Sequence, residues 1–148
     1  MKLSCCLLAA GVLLSACASA PMASGDRDNE AKKFVPVAGT ASLYVARRSE
    51  MFGMLIPFKV AVDGKDGGTL AQGAYQMFSV KPGQHRVEIS TGLNSTVLNV
   101  EVSAGTNSFY STGAKAGTAI IEPEIAIVPL EPMGKFMISQ STRAPIVE

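Results

Sequence analysis

From Thr40 onward, hydrophobic and polar positions alternate with a period of two. Leu43 and Val45 are separated by Tyr44, and Phe58, Val60 and Val62 are separated by Lys59 and Ala61. Successive strand side chains point to opposite faces, so the pattern predicts strands with one buried face. Asp63-Gly64-Lys65-Asp66-Gly67-Gly68 follows and is rich in residues that tolerate positive φ, which predicts a hairpin turn and then a short strand over Thr69–Ala71. A strand over Ala74–Val80 leads into Lys81-Pro82-Gly83, where Pro suits position i+1 and Gly position i+2 of a type II turn. Beyond it His85, Val87 and Ile89 share a face that is expected to point inward. After Gly92–Ser95, Leu98, Val100 and Val102 alternate with Val97, Asn99 and Glu101. Strands over Asn107–Thr112 and Ile120–Leu130 complete the series. Pro123 and Pro129 lack ladder donors and so confine the last strand to an edge or a bulge. Glu131–Gln140 has room for one or two helical turns covering a sheet edge, against which Gly134 counts. Seven or eight short strands with no long helical period predict an all-β fold, a small antiparallel β-sandwich over residues 38–140, with 141–148 as a tail. A domain of about 100 residues can hold a core without disulfides.

The front of the chain has a different pattern. Lys2 precedes an apolar run from Cys5 to Leu14 that is too short to span a bilayer, as in a secretory signal peptide. Leu14-Ser15-Ala16-Cys17 then resembles the bacterial lipobox: a branched apolar residue, two small residues, and the Cys that receives a diacylglyceryl group before cleavage at Ala16–Cys17. An ordinary signal cut after Ala18-Ser19-Ala20 is the competing possibility. Lipobox processing removes residues 1–16, and with them Cys5 and Cys6, so that Cys17 is the one remaining Cys and no disulfide can form. At roughly 0.8 kcal/mol per buried CH₂, two or three acyl chains contribute on the order of 20 kcal/mol, an effectively permanent membrane anchor. Ala18 stands where an Asp would, in enterobacterial lipoproteins, signal inner-membrane retention, so the resemblance implies the outer membrane and its periplasmic face. Residues 17–37 are small, polar or charged and read as a lipidated Cys on a flexible tether, able to reach about 60 Å when extended.

Charge narrows the function classes. The 148 residues hold 13 Lys+Arg against 12 Asp+Glu, with one His and 17% charged residues. Loss of Lys2 leaves the two signs balanced. A chain without a basic cluster lacks the electrostatic footprint of nucleic-acid binding, and one His with few Cys does not make an ordinary metal centre. No cofactor is implied.

Four features merit weighing as chemistry. His85 is the side chain that titrates near neutrality, but no G-x-S-x-G elbow supplies a nucleophile for it. The simpler expectation is that His85 bonds a neighbouring backbone carbonyl and holds its hairpin. Glu122 and Glu124 share a strand face, as an acid–base pair would, yet charged edge strands are common for avoiding aggregation. Asp63 and Asp66 lack the spaced oxygen ligands and closing Glu of a calcium loop. The loop of Met51, Phe52, Gly53, Met54, Leu55, Ile56 and Pro57 is more apolar than a connection requires. It is either an exposed patch that docks a protein partner or dips into lipid near Arg47 and Arg48, or a lid completing the core over an open end of the sandwich.

Taken in order, Ala41-Ser-Leu-Tyr-Val-Ala-Arg47, Val60-Ala-Val-Asp-Gly64, Gly73-Ala-Tyr75 and Pro82-Gly-Gln-His85 resemble the bacterial lipoprotein family catalogued as domain of unknown function 2846, over roughly Gly39 to Leu130. The resemblance implies a sandwich in a membrane-anchored envelope protein, and no activity, cofactor or substrate. Pro82 to Ile89 is also similar to the turn of PEGA-type β-modules, which raises the prospect of an accessory module without fixing a site. The expectation is a non-catalytic outer-membrane lipoprotein that binds or scaffolds another envelope component, possible partners being envelope proteins. Its rivals are a carrier of a lipid or other small hydrophobic ligand between the sheets, and a hydrolase using His85.

Overall fold

A computed structural model describes residues 23–117 and 121–146. Cys17, the signal segment 1–16 and the first residue of the expected Ile120–Leu130 strand lie outside the described residues. Among those described, the chain runs α1 (Gly25–Ala31), β1 (Ala41–Arg47), β2 (Phe58–Val62), β3 (Lys65–Leu70), β4 (Ala74–Val80), β5 (Gly83–Ser90), β6 (Ser95–Val102), β7 (Asn107–Ala116), β8 (Ile121–Val128), α2 (Glu131–Ser139) and β9 (Thr142–Arg143). Two sheets face one another, one ordered β8-β7-β1-β4-β9 and the other β3-β2-β5-β6, and together they form the expected β-sandwich.

The period-two pattern fills the space between the sheets. Leu43 and Val45 of β1 meet Phe58, Val60, Leu70, Val87, Ile89, Val100 and Val102 from the opposite sheet. Gln76 is also buried there, and its Nε2 donates to the Gly67 carbonyl at 2.7 Å, which ties β4 to β3 across the sandwich. The Asp63-Gly64 pair makes the β2–β3 hairpin with both residues at positive φ (53° and 79°), the twist-matched two-residue turn. The turn is therefore shorter than the expected six residues: Lys65–Gly68 already belong to β3, with a register irregularity between Lys59 and Ala61.

The sandwich is predominantly antiparallel as expected, with two parallel pairings, β1 with β7 and β4 with β9. Other expectations need correcting. Residues 141–148 are not simply a tail: Thr142 and Arg143 form β9 on the edge of the five-stranded sheet. The segment expected to be a flexible tether contains α1, docked on the outer face of that sheet.

That docking gives β1 a second buried face. Tyr44, Ala46, Tyr75 and Phe109 pack with Ala31 of α1 and Ile138 of α2 in a core outside the sandwich, joined by Phe34 and Met137. The Tyr44 hydroxyl donates to Ala31 O at 2.8 Å, and the Tyr75 hydroxyl donates to Asp28 Oδ1 at 2.8 Å. Burial pushes the Tyr44 hydroxyl up to about 12 and the Tyr75 hydroxyl higher still, so both remain donors. Lys32 Nζ bridges Asp28 and the Ser141 carbonyl. The α2 helix lies on this face, not along an edge, and Gly134 is what permits it. A Cβ there would overlap the Phe109 ring.

Candidate functional site

Strand direction gathers one set of loops at one end of the sandwich. β1 and β7 run parallel, and their pairing ends at Arg47 and Thr112, beyond which β7 continues with β8 alone. β4 begins there, with Gly73 N–H donating to Arg47 O at 3.1 Å. β2 starts at Phe58 directly after the apolar loop, and Lys59 pairs with Ser90 at the end of β5. Asn94 of the β5–β6 turn reaches the Ile121 carbonyl at the start of β8.

The loop between β1 and β2 is exposed at its tip. Met51 and Leu55 are each 89% accessible, with Phe52 and Met54 about half so. Ile56 alone turns inward and packs against the core. The four large side chains at the tip are thus accessible, while Ile56 joins the loop to the core. Leu93, 82% accessible in the β5–β6 turn, adds a further apolar group at the same end.

Internal bonds hold the loop in this form. Arg47, only 5% accessible, donates from Nη1 to Leu70 O at 3.1 Å and from Nη2 to Gly53 O at 2.9 Å, and its guanidinium lies 4.1 Å from the Phe58 ring centroid. Burial pulls its pKa below the usual value. Gly53 stands at φ 71°, where a side chain would also strike Ala114. Glu50 braces the base: its Oε1 accepts from Ala114 N–H at 2.7 Å and its carbonyl accepts from Gln72 Nε2 at 2.5 Å. Arg48 pairs with both Glu50 and Glu124.

Beside the loop, α2 and the start of β4 border an open groove of ≈ 380 Å³, lined in part by Ala46, Ser49, Gly73, Met133, Phe136 and Met137. Phe136 is 67% accessible. The groove was not anticipated from sequence, although Met133, Phe136 and Met137 stand at helical i, i+3, i+4 spacing within Glu131–Gln140.

The titratable candidates are engaged elsewhere. Both ring nitrogens of His85 face acceptors, Nδ1 lying 2.6 Å from Asp63 Oδ2 and Nε2 2.7 Å from Lys81 O. The Asp63 hydrogen bond raises the His85 pKa, and the Arg86 N–H together with His85 lowers that of Asp63. Bonded on both sides, the imidazole clamps the β2–β3 turn to the β4–β5 turn at the end opposite the loop. Glu122 and Glu124 do share one face of β8, where Glu122 pairs with Lys115 and Glu124 with Arg48. Asp66 accepts from Gly68 N–H at 2.7 Å inside its own strand. No group of three or more His, Cys, Asp or Glu side chains able to hold a metal ion occurs among the described residues.

Fold and surface together define a two-sheet β-sandwich with a helix-covered outer face and one apolar, loop-built end. The chain belongs to the family described as Protein of unknown function (DUF2846), whose model matches residues 37–123, from just before β1 into β8. The apolar loop and Arg47 fall inside that stretch, while α1, α2 and β9 fall outside it. An uncharacterized protein of Haemophilus influenzae (strain ATCC 51907 / DSM 11121 / KW20 / Rd) is 30% identical over 139 residues, covering 93% of this chain and 82% of that protein.

Proposed function

We propose that this chain is a non-catalytic lipoprotein, acylated on Cys17 and held at the periplasmic face of the bacterial outer membrane, whose sandwich binds or scaffolds another envelope component. The observation that carries the binding reading is the contrast between the two kinds of surface. The candidate acids and bases are bonded into turns and strand pairs, whereas large apolar side chains of the loop and α2 are left facing water. Exposed apolar surface of this kind marks a contact site. The groove of Met133, Phe136 and Met137, with its flexible thioethers, suits an apolar segment of an envelope protein. Carriage of a ligand between the sheets has less support, because Leu43, Phe58, Leu70 and Ile89 fill that space.

A photo-crosslinking residue in place of Phe136, irradiated in living cells, tests the binding reading. The expected result is a discrete adduct with an envelope protein that disappears when Met133→Asp is added. Absence of any adduct at Phe136 in the otherwise unaltered chain would count decisively against a partner in this groove.

A further inference from the structure

We propose that the Met51–Ile56 loop and the Leu93 turn rest in the lipid surface, so that this end of the sandwich faces the bilayer. The proposal rests on the Cys17 anchor put forward above. It starts from where the described chain begins. Ala23 N–H donates to Arg143 O at 2.8 Å, which places Ala23 beside β9. Arg143 is in register with Tyr75, and Tyr75 with Ala46, one residue from the end of β1. Three inter-strand steps of about 4.8 Å therefore separate Ala23 from the foot of the apolar loop, about 14 Å.

The length of chain outside the structure then limits the geometry. Cys17 precedes Ala23 by six residues, and six residues span at most about 20 Å. With α1 docked, the reach from the lipidated Cys is thus a third of the roughly 60 Å expected of a free tether. Ala23 stands level with Tyr75, so the opposite end of the sandwich at Val80 is five residues away along β4, about 17 Å, against one residue to the loop end. Between the two ends, the reach favours the one that carries the loop.

The chemistry of that end fits lipid. Met51, Phe52, Met54, Leu55 and Leu93 project from it. Most charges around the loop are paired, Arg48 with Glu50 and Glu124, and Lys115 with Glu122, which lowers the cost of desolvation on approach; the exposed Lys59 beside it can meet anionic headgroups. The far end carries the exposed Val35, Val37 and Leu130, and is otherwise built from the polar turns at Asp63-Gly64, Lys81-Pro82 and Ser103–Thr106. Arg47 and Glu50 hold the loop open with its side chains outward, so that no rearrangement is needed before contact. An apolar tip of this size sits about 5–10 Å into the headgroup and acyl boundary.

The test uses full-length protein processed in bacteria, purified in detergent and reconstituted into phosphatidylethanolamine/phosphatidylglycerol vesicles. Leu55→Cys carries an environment-sensitive fluorophore, as does Lys65→Cys at the far end, and emission is compared with and without bromine on the acyl chains. Both positions are exposed, so neither substitution disturbs packing. Emission at position 55 is expected to fall by about half with brominated lipid and that at position 65 to remain unchanged. A chain that carries lipid and floats with the vesicles, but is unquenched at position 55, overturns this inference and leaves the anchor standing. Equal quenching at both positions overturns the orientation. A chain without lipid on Cys17 that fails to float overturns both proposals together.

Discussion

Two side chains show how single residues serve the fold. Arg47 ends β1 as a buried cation without a salt bridge among the described residues, held by two backbone carbonyls and the Phe58 ring. A buried guanidinium is costly unless its donors are used, and here they fasten Gly53 of the apolar loop and the end of β3 to β1. His85 joins two turns. Neutral imidazole offers one N–H, but both of its neighbours are acceptors, so the protonated ring satisfies the site best. Its pKa is raised from 6.5, hence its stabilisation is complete below pH 6.5 and is lost as pH rises through the raised value. Asp63 is lowered from 3.8, so its stabilisation is present above pH 3.8 and is lost as pH falls through the lowered value. The clamp is therefore strongest between those two limits. Denaturant melts of the wild type and His85→Ala across pH 4–9 should show the largest gap near pH 5 and a smaller gap at pH 9; a gap that widens with pH would contradict the assignment. The structural role of His85 was legible in the turn residues before it. The burial of Arg47 was not, since a basic residue closing a strand normally reads as solvated.

At the scale of elements, the strands were legible and the outer layer was not. Alternation over Phe58–Val62 and Leu98–Val102 marks one buried face each, and the turn residues place the hairpins. The misread segment is α1. Seven residues with Ala31 as the buried one carry too little apolar surface to signal a docked helix. The helix is held instead by the Tyr44 and Tyr75 hydroxyls, which arrive from strands. The Asp28 pKa lies below its usual value: burial raises it, but the Lys32 and Tyr75 hydrogen bonds outweigh that. The sign was in β1 itself, where Ser42, Tyr44 and Ala46 offer no charged outer face, as expected of a strand covered on both sides. Gly134 was read as a helix breaker and proves to be a packing residue. In an exposed helix Gly→Ala stabilises by about 1 kcal/mol, but overlap with Phe109 costs about 1–3 kcal/mol. Gly134→Ala should therefore lower the denaturant midpoint, by up to about 2 kcal/mol in stability; a raised midpoint would mean that α2 does not sit on Phe109.

For the whole molecule, an all-β sandwich was legible, because turn spacing and period mark eight of the nine strands among the described residues, all but β9. The parallel pairings β1–β7 and β4–β9 were not, because they depend on long-range connections. The exposure of the loop was equally beyond sequence, since an apolar run suits a lid and a docking tip alike. The structure leaves the tip accessible and, by docking α1, shortens the reach between Cys17 and the sandwich. Every functional step proposed above depends on what happens at Cys17. The most direct measurement is the intact mass of the mature protein recovered from bacterial membranes, with fragmentation of its N-terminus. The account predicts a chain beginning at Cys17 and carrying a diacylglyceryl group. A chain cut after Ala20, with an unmodified N-terminus, would contradict it.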